Sequence, residues 1–132
     1  MRHLKAHRKL SKATDQRMAM LRGLVKSLII YERVETTHAR AKEARKLAER
    51  LVAVAKTDDV HSRRKVARVL GTERKVTPVE RKKGIEKIDP IRKLFQTIAP
   101  SMAEREGGFT RLTRTGPRRG DGTEMAVIEF LA

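Results

Sequence analysis

Tyr31–Ala55 reads YERVETTHARAKEARKLAERLVAVA, and its residue pattern changes from that of a strand to that of a helix. Tyr31–Thr37 is rich in β-formers (Tyr31, Val34, Thr36, Thr37) and predicts a short strand. Thr37 is placed to cap the helix that follows at once. Ala44, Leu47, Ala48, Leu51, Val52 and Ala55 recur at spacings of three and four, which makes one continuous apolar face. Arg40, Lys42, Arg45, Lys46 and Arg50 dress the remaining surface of that helix. A strand feeding directly into an amphipathic helix points to a chain that packs helices against a sheet.

Upstream, Thr14 with Asp15 and Gln16 predicts a helix start, a capping hydroxyl followed by an acid in the first turn. Leu21, Leu24, Val25, Leu28 and Ile29 form its stripe. Arg17, Arg22 and Lys26 lie off that stripe, free to face solvent or phosphate. Downstream, Asp58 or Asp59 is the expected cap of a third helix that stops near Gly71. Residues 72–87 are lysine-rich and interrupted by Pro78 and Gly84, so they are expected to form an accessory surface loop. Asp89-Pro90 opens a fourth helix with proline in its favoured first position. Its buried side is Ile91, Leu94, Phe95 and Ile98, and Pro100 is expected to kink or end it. After the break at Gly107-Gly108, Phe109–Thr115 and Met125–Leu131 predict two strands joined by the Gly- and Arg-rich turn Gly116–Thr123. The order is α-β-α-α-α-β-β. The expected fold is α+β in two layers, helices on a small mixed sheet of three strands.

The chain has 132 residues and suits one domain. Its 32 Lys+Arg against 16 Asp+Glu leave a net charge of +16, and such self-repulsion calls for a polyanion. No apolar run approaches the length of a spanning helix, and the charged start is followed by no apolar signal segment. Cysteine is absent, which excludes disulfides and thiolate metal sites and agrees with a reducing cytosol. With no Trp, one Tyr and three Phe, the chain lacks the aromatics of a base-stacking reader. Phosphate and shape recognition fits better.

The charge is unevenly placed. Residues 1–12 carry Arg2, Lys5, Arg8, Lys9 and Lys12 with His3 and His7 and no acid. Such a segment buries too little to order itself, and is expected to be a flexible arm that orders on a polyanion. His61–Lys93 is a second basic stretch, including Arg63 and Arg64. Near the C-terminus, Arg111, Arg114, Arg118 and Arg119 stand together with no acid between Gly107 and Gly120. Arginine forks around a tight turn match the geometry that phosphates favour.

Other features have plainer explanations. His3 and His7, with His38 and His61, lack the fixed scaffold and further ligands that zinc wants, so phosphate or base contact suits them better. Asp58-Asp59 fits a helix cap better than a catalytic pair, and Thr36-Thr37 fits a strand end with its cap. Neither Gly107-Gly108 nor Gly120-Asp121-Gly122 has the spacing or the Lys-Ser/Thr partner of a phosphate loop. No cofactor or metal is expected, and no catalytic residue.

Several motifs in series resemble the bacterial large-subunit ribosomal protein seventeen family. They are Met1-Arg2-His3 with Arg8-Lys9-Leu10, then Arg33-Val34-Glu35-Thr36-Thr37 with Ala41-Lys42-Glu43-Ala44-Arg45. Ala55-Lys56 and His61-Ser62-Arg63-Arg64 follow, then Lys93-Leu94-Phe95 with Ala99-Pro100. Gly107-Gly108-Phe109-Thr110-Arg111 and Arg119-Gly120-Asp121-Gly122 complete the series. Two stretches depart from the family pattern: Ala6-His7 replaces a Ser-Gly-like pair, and Gly71–Asp89 is longer than usual. The resemblance implies an α+β fold, binding to large-subunit ribosomal RNA near the peptide exit, and neighbouring large-subunit ribosomal proteins. It implies a cytoplasmic location in the ribosome, no membrane, no small-molecule substrate and no catalysis.

Three function classes compete. An RNA-processing enzyme needs convergent acids, histidines or a phosphate loop, and none stands at the required spacing. A DNA-binding architectural protein is the alternative, because basic helices enter major grooves. It would need base-reading side chains in one patch. Basic residues spread over several elements and an arm instead fit a protein set into folded RNA. The expected RNA-binding residues are Arg2, His3, Lys5, His7, Arg8, Lys9, Lys12, Arg17, Arg22, Lys42, Arg45, Arg63, Arg64, Arg111, Arg114, Arg118 and Arg119.

Overall fold

The computed structural model describes residues 7–71 and 88–131. Arg2, His3 and Lys5 of the arm, and the accessory loop at 72–87, lie outside the described residues. The elements follow the expected order: α1 Thr14–Tyr31, β1 Arg33–Thr37, α2 His38–Ala55, α3 Val60–Leu70, α4 Pro90–Lys93, a π-helical turn Leu94–Ile98, α5 Ala99–Ser101, β2 Thr110–Pro117 and β3 Glu124–Phe130. Together they form an α+β fold with one three-stranded sheet.

The sheet is antiparallel throughout, not mixed, with strand order β1-β3-β2. β1 and β2 run the same way, so a mixed sheet would have needed those two side by side. The most apolar strand, β3, takes the centre instead, where ladders on both edges satisfy its backbone. Val34 stands opposite Ile128, and Ile128 opposite Leu112. Helix α2 packs against all three strands, and α1 and α3 pack against α2.

The core lies where the periodicity places it. Leu21, Val25, Leu28 and Ile29 of α1 meet Ala44, Ala48, Leu51, Val52 and Ala55 of α2. Val66, Leu70, Leu94, Phe95, Ile98, Met102, Phe109 and Ile128 complete the cluster. Burying a Leu- or Val-sized side chain contributes about 1.5–3 kcal/mol. This interior therefore supplies the main drive against the chain's own charge.

Element ends differ from expectation in ways the backbone explains. Ala13, not Thr14, occupies the N-cap of α1, and no side chain caps it. Tyr31 belongs to α1, not to the strand. The turn out of the helix falls on Glu32, whose φ of 62° is left-handed and whose N–H closes on Leu28 O at 2.7 Å. Thr37 and Asp59 stand at the N-caps of α2 and α3 with extended backbones, but neither side chain makes a cap bond. Asp58 instead accepts from Arg63 at 2.9 and 2.7 Å. Asp89 does cap, accepting from Ile91 N at 2.9 Å, with Pro90 at the first helical position. Beyond it the helix widens so that Ala99 N–H reaches Leu94 O. Pro100 has no N–H to give back, and helical structure ends at Ser101.

In the β2–β3 hairpin, β2 passes its expected end and β3 is shifted by one residue toward the turn. β2 runs on to Pro117 across an irregularity between Arg114 and Gly116. Gly116 has φ +104°, a conformation open to glycine. The turn proper is Arg118–Thr123, closed by Arg118 N to Thr123 O at 2.9 Å and Gly122 N to Arg118 O at 2.8 Å.

Candidate nucleic-acid interface

Leu10 packs against the core even though the residues around it are exposed. Leu10 and Ser11 adopt left-handed φ values of 55° and 51°, and Lys12 N bonds to Lys9 O at 3.2 Å. This tight turn sets the position of its neighbours. Arg8 lines a groove of about 590 Å³ with Lys42, Glu43, Arg45, Lys46, Glu49 and Gly108. Residues 42, 45, 46 and 49 share one face of α2 by the 3.6-residue period.

Both carboxylates in the groove are committed to the protein. Glu43 is buried and holds Lys46 Nζ at 3.0 Å. Glu49 accepts from Phe109 N at 3.1 Å, Thr110 N at 3.0 Å and Thr110 Oγ1 at 2.7 Å. Arg45 Nε stands 3.7 Å from it. Partial burial alone would raise the Glu49 pKa. The bonds from Thr110 and Phe109, with the nearby Arg45 charge, outweigh that and hold it below the ordinary value. Glu49 therefore fastens α2 to the start of β2.

Helix α3 presents Arg63 and Arg64 to solvent. Arg63 is steadied by Asp58 and lies 5.3 Å from the centre of the Phe95 ring, a cation–π arrangement. Lys56 similarly lies 5.5 Å from the Phe109 ring and donates to Arg105 O. Lys93 bonds to Ile30 O at 2.8 Å and pairs with Glu32 at 2.6 Å, so its role is to tie α4 to the end of α1.

The four C-terminal arginines do not form one fork. Arg111 and Arg114 are three apart on a strand and leave on opposite faces of the sheet. Each meets an acid of β3, Arg111 with Glu129 at 3.6 Å and Arg114 with Glu124 at 3.9 Å. Arg118 is held by Asp121 through Nε at 2.9 Å and Nη2 at 2.6 Å. Thr123 Oγ1 donates to the same carboxylate at 2.8 Å. The bonds from Arg118 and Thr123 hold Asp121 well below the usual carboxylate range. Arg119 is exposed, with no ion pair among the described residues.

Arg17 requires a correction. Expected off the apolar stripe, it is 8% exposed, because it precedes Leu21 by four residues and so continues that stripe. His7, Lys9, Lys12 and Arg22 are exposed. The structure thus brings Arg8, Lys42 and Arg45 together in the groove, and the other expected residues that it describes do not line it. It adds Lys46 to the groove, a residue whose signal was its helical spacing from Lys42. Among the described residues no His, Asp or Glu cluster could hold a metal, and no helix is long and apolar enough to cross a membrane.

Comparison with known proteins matches residues 20–131 to the family model described as ribosomal protein L17. The "Large ribosomal subunit protein bL17" of Shouchella clausii is 48% identical over 126 residues, covering 96% of this chain and 99% of that protein. That of Staphylococcus carnosus is 46% identical over 130 residues, covering 95% and 98%. That of Exiguobacterium is 44% identical over 126 residues, covering 96% and 99%. The chain belongs to the ribosomal protein L17 family.

Proposed function

We propose that this chain is a structural, non-catalytic constituent of the large ribosomal subunit, working in the cytoplasm within the ribosome. It binds large-subunit ribosomal RNA through phosphate and shape contacts and supports subunit assembly beside neighbouring ribosomal proteins. Its relatives are named as large-subunit proteins, and placement near the peptide exit follows from the family resemblance. The observation that carries the RNA reading is the spread of exposed cations over several surfaces. Arg8, Lys9 and Lys12 of the arm, Lys42 and Arg45 of α2, Arg64 of α3 and Arg119 at the hairpin tip are all exposed, in a chain of net charge +16. A reader of one DNA groove would gather them on one element.

Salt dependence and sedimentation test this. Log affinity for large-subunit ribosomal RNA is expected to fall linearly with log salt, at roughly −0.7 to −0.9 per neutralised phosphate. The protein is expected to co-sediment with the large subunit in stoichiometric amount. Affinity that is flat with salt would sink the phosphate-centred account.

A further inference from the structure

We propose that the groove between the N-terminal turn and α2 is a seat for a single RNA phosphodiester strand, and that Leu10 is the peg that builds it. The proposal rests on the RNA-binding reading above and names its site. Arg8 lines it from the N-terminal turn, and Lys42, Arg45 and Lys46 line it from α2. The cations come from two segments far apart in sequence, so a backbone lying between them is gripped from both sides. The two carboxylates of the groove do not repel such a strand freely, because Glu43 is turned to Lys46 and Glu49 to the Phe109 and Thr110 amides. Gly108 forms part of the lining with a left-handed φ of +66° and open space where a side chain would begin. A strand can therefore approach the main chain closely there.

Leu10 separates this site from diffuse attraction. Arg8 is two residues from Leu10, and among the described residues of this stretch Leu10 is the apolar one packed against the core. The left-handed turn at Leu10 and Ser11 fixes the direction in which the chain leaves that contact. A uniform positive field would not depend on an uncharged leucine. A seat with a positioned wall does.

The test uses the full chain, protein-free large-subunit ribosomal RNA and titrations at several salt concentrations. Arg8→Ala and Lys42→Ala are each expected to weaken binding about tenfold, the scale of a bond to a charged group. Each is also expected to lower the salt slope by about 1. Arg40→Ala removes the same charge from α2 outside the groove, and is expected to cost much less. Leu10→Ala keeps every charge yet is expected to weaken binding several-fold and to lower the slope, with cooperative thermal unfolding retained. Arg40→Ala matching Arg8→Ala, or Leu10→Ala binding as tightly as the unaltered chain, overturns the seat while leaving RNA binding in place. An unaltered chain whose affinity does not change with salt overturns the seat together with the phosphate-centred account, and one that does not bind this RNA overturns the RNA reading itself.

Discussion

The α2–β2 junction and the hairpin tip are each organised around one carboxylate, and the contrast between them separates fold from surface. Glu49 and Asp121 both gather backbone N–H and hydroxyl donors, and each has an arginine beside it, ion-paired at 3.7 Å at Glu49 and hydrogen-bonded at Asp121. Glu49 draws its amide and hydroxyl donors from residues 60 and 61 positions away, whereas Asp121 draws all of its own from within three. The Glu49 side chain is 23% exposed and that of Asp121 49%. The number of donors is therefore a poor guide to what a carboxylate contributes. Water competes for every bond at the tip, while at the junction two backbone amides would be left wanting if the carboxylate were removed.

Glu49→Ala is expected to have the largest effect, about 1–3 kcal/mol lost in equilibrium denaturant unfolding, because the partly buried Phe109 and Thr110 amides lose their acceptor. Acid titration sharpens the point. The Glu49 pKa is lowered on folding, so its stabilisation is fully present above the ordinary value of 4.5. That stabilisation is lost as pH falls through the lower folded value. The stability gap between the native chain and Glu49→Ala is therefore expected to be constant near neutrality and to close below about pH 4.5. A gap that widens on acidification would mean that Glu49 folds in as the neutral acid.

These two regions also show what can be read from sequence. The α2 stripe and the buried side Leu94, Phe95 and Ile98 are legible because a helix returns the same face every 3.6 residues. Glu49 is not, since nothing local distinguishes it from the other charged residues of α2 and its donors lie 60 residues on. Strand order is hidden for the same reason: each strand announces itself, but the pairing of β1 with β3 is a long-range event. Arg17 continues the α1 stripe but is missed because its charge argues against burial, although a long side chain can lie along an apolar face. The tip, by contrast, was within reach. An acid-free window that ends at Gly120 stops one residue short of Asp121, and an aspartate bonding to the backbone two residues on is a standard turn device.

Thr110→Val tests the junction one bond at a time. The residue is 2% exposed, its hydroxyl donates to Glu49 at 2.7 Å, and its amide bond to the same carboxylate survives the substitution. The expected loss is about 1 kcal/mol in denaturant unfolding, the net worth of one bond. Removing that donor lets the Glu49 pKa move back toward its ordinary value. The acid limb of this variant is therefore expected between those of the native chain and Glu49→Ala. A loss as large as that of Glu49→Ala would show that the hydroxyl, not the amides, is the anchor.

Asp121→Asn is expected to change least, and only nearby. The carboxamide keeps an acceptor for Thr123 but loses the charge that holds the Arg118 fork at 2.6 and 2.9 Å. Because the tip is open to water, the lost contacts are replaced by hydration, and the global unfolding midpoint is expected to stay with the native chain. The effect belongs in hydrogen exchange. The amides of Arg118 and Gly122, which bond to Thr123 O and Arg118 O, are expected to exchange faster, while those of Val127 and Ile128 in the central strand keep their protection. Loss of protection at Ile128 in Asp121→Asn, or a midpoint that falls with Glu49→Ala, would show the tip to be part of the fold's foundation and would erase the distinction between the two carboxylates.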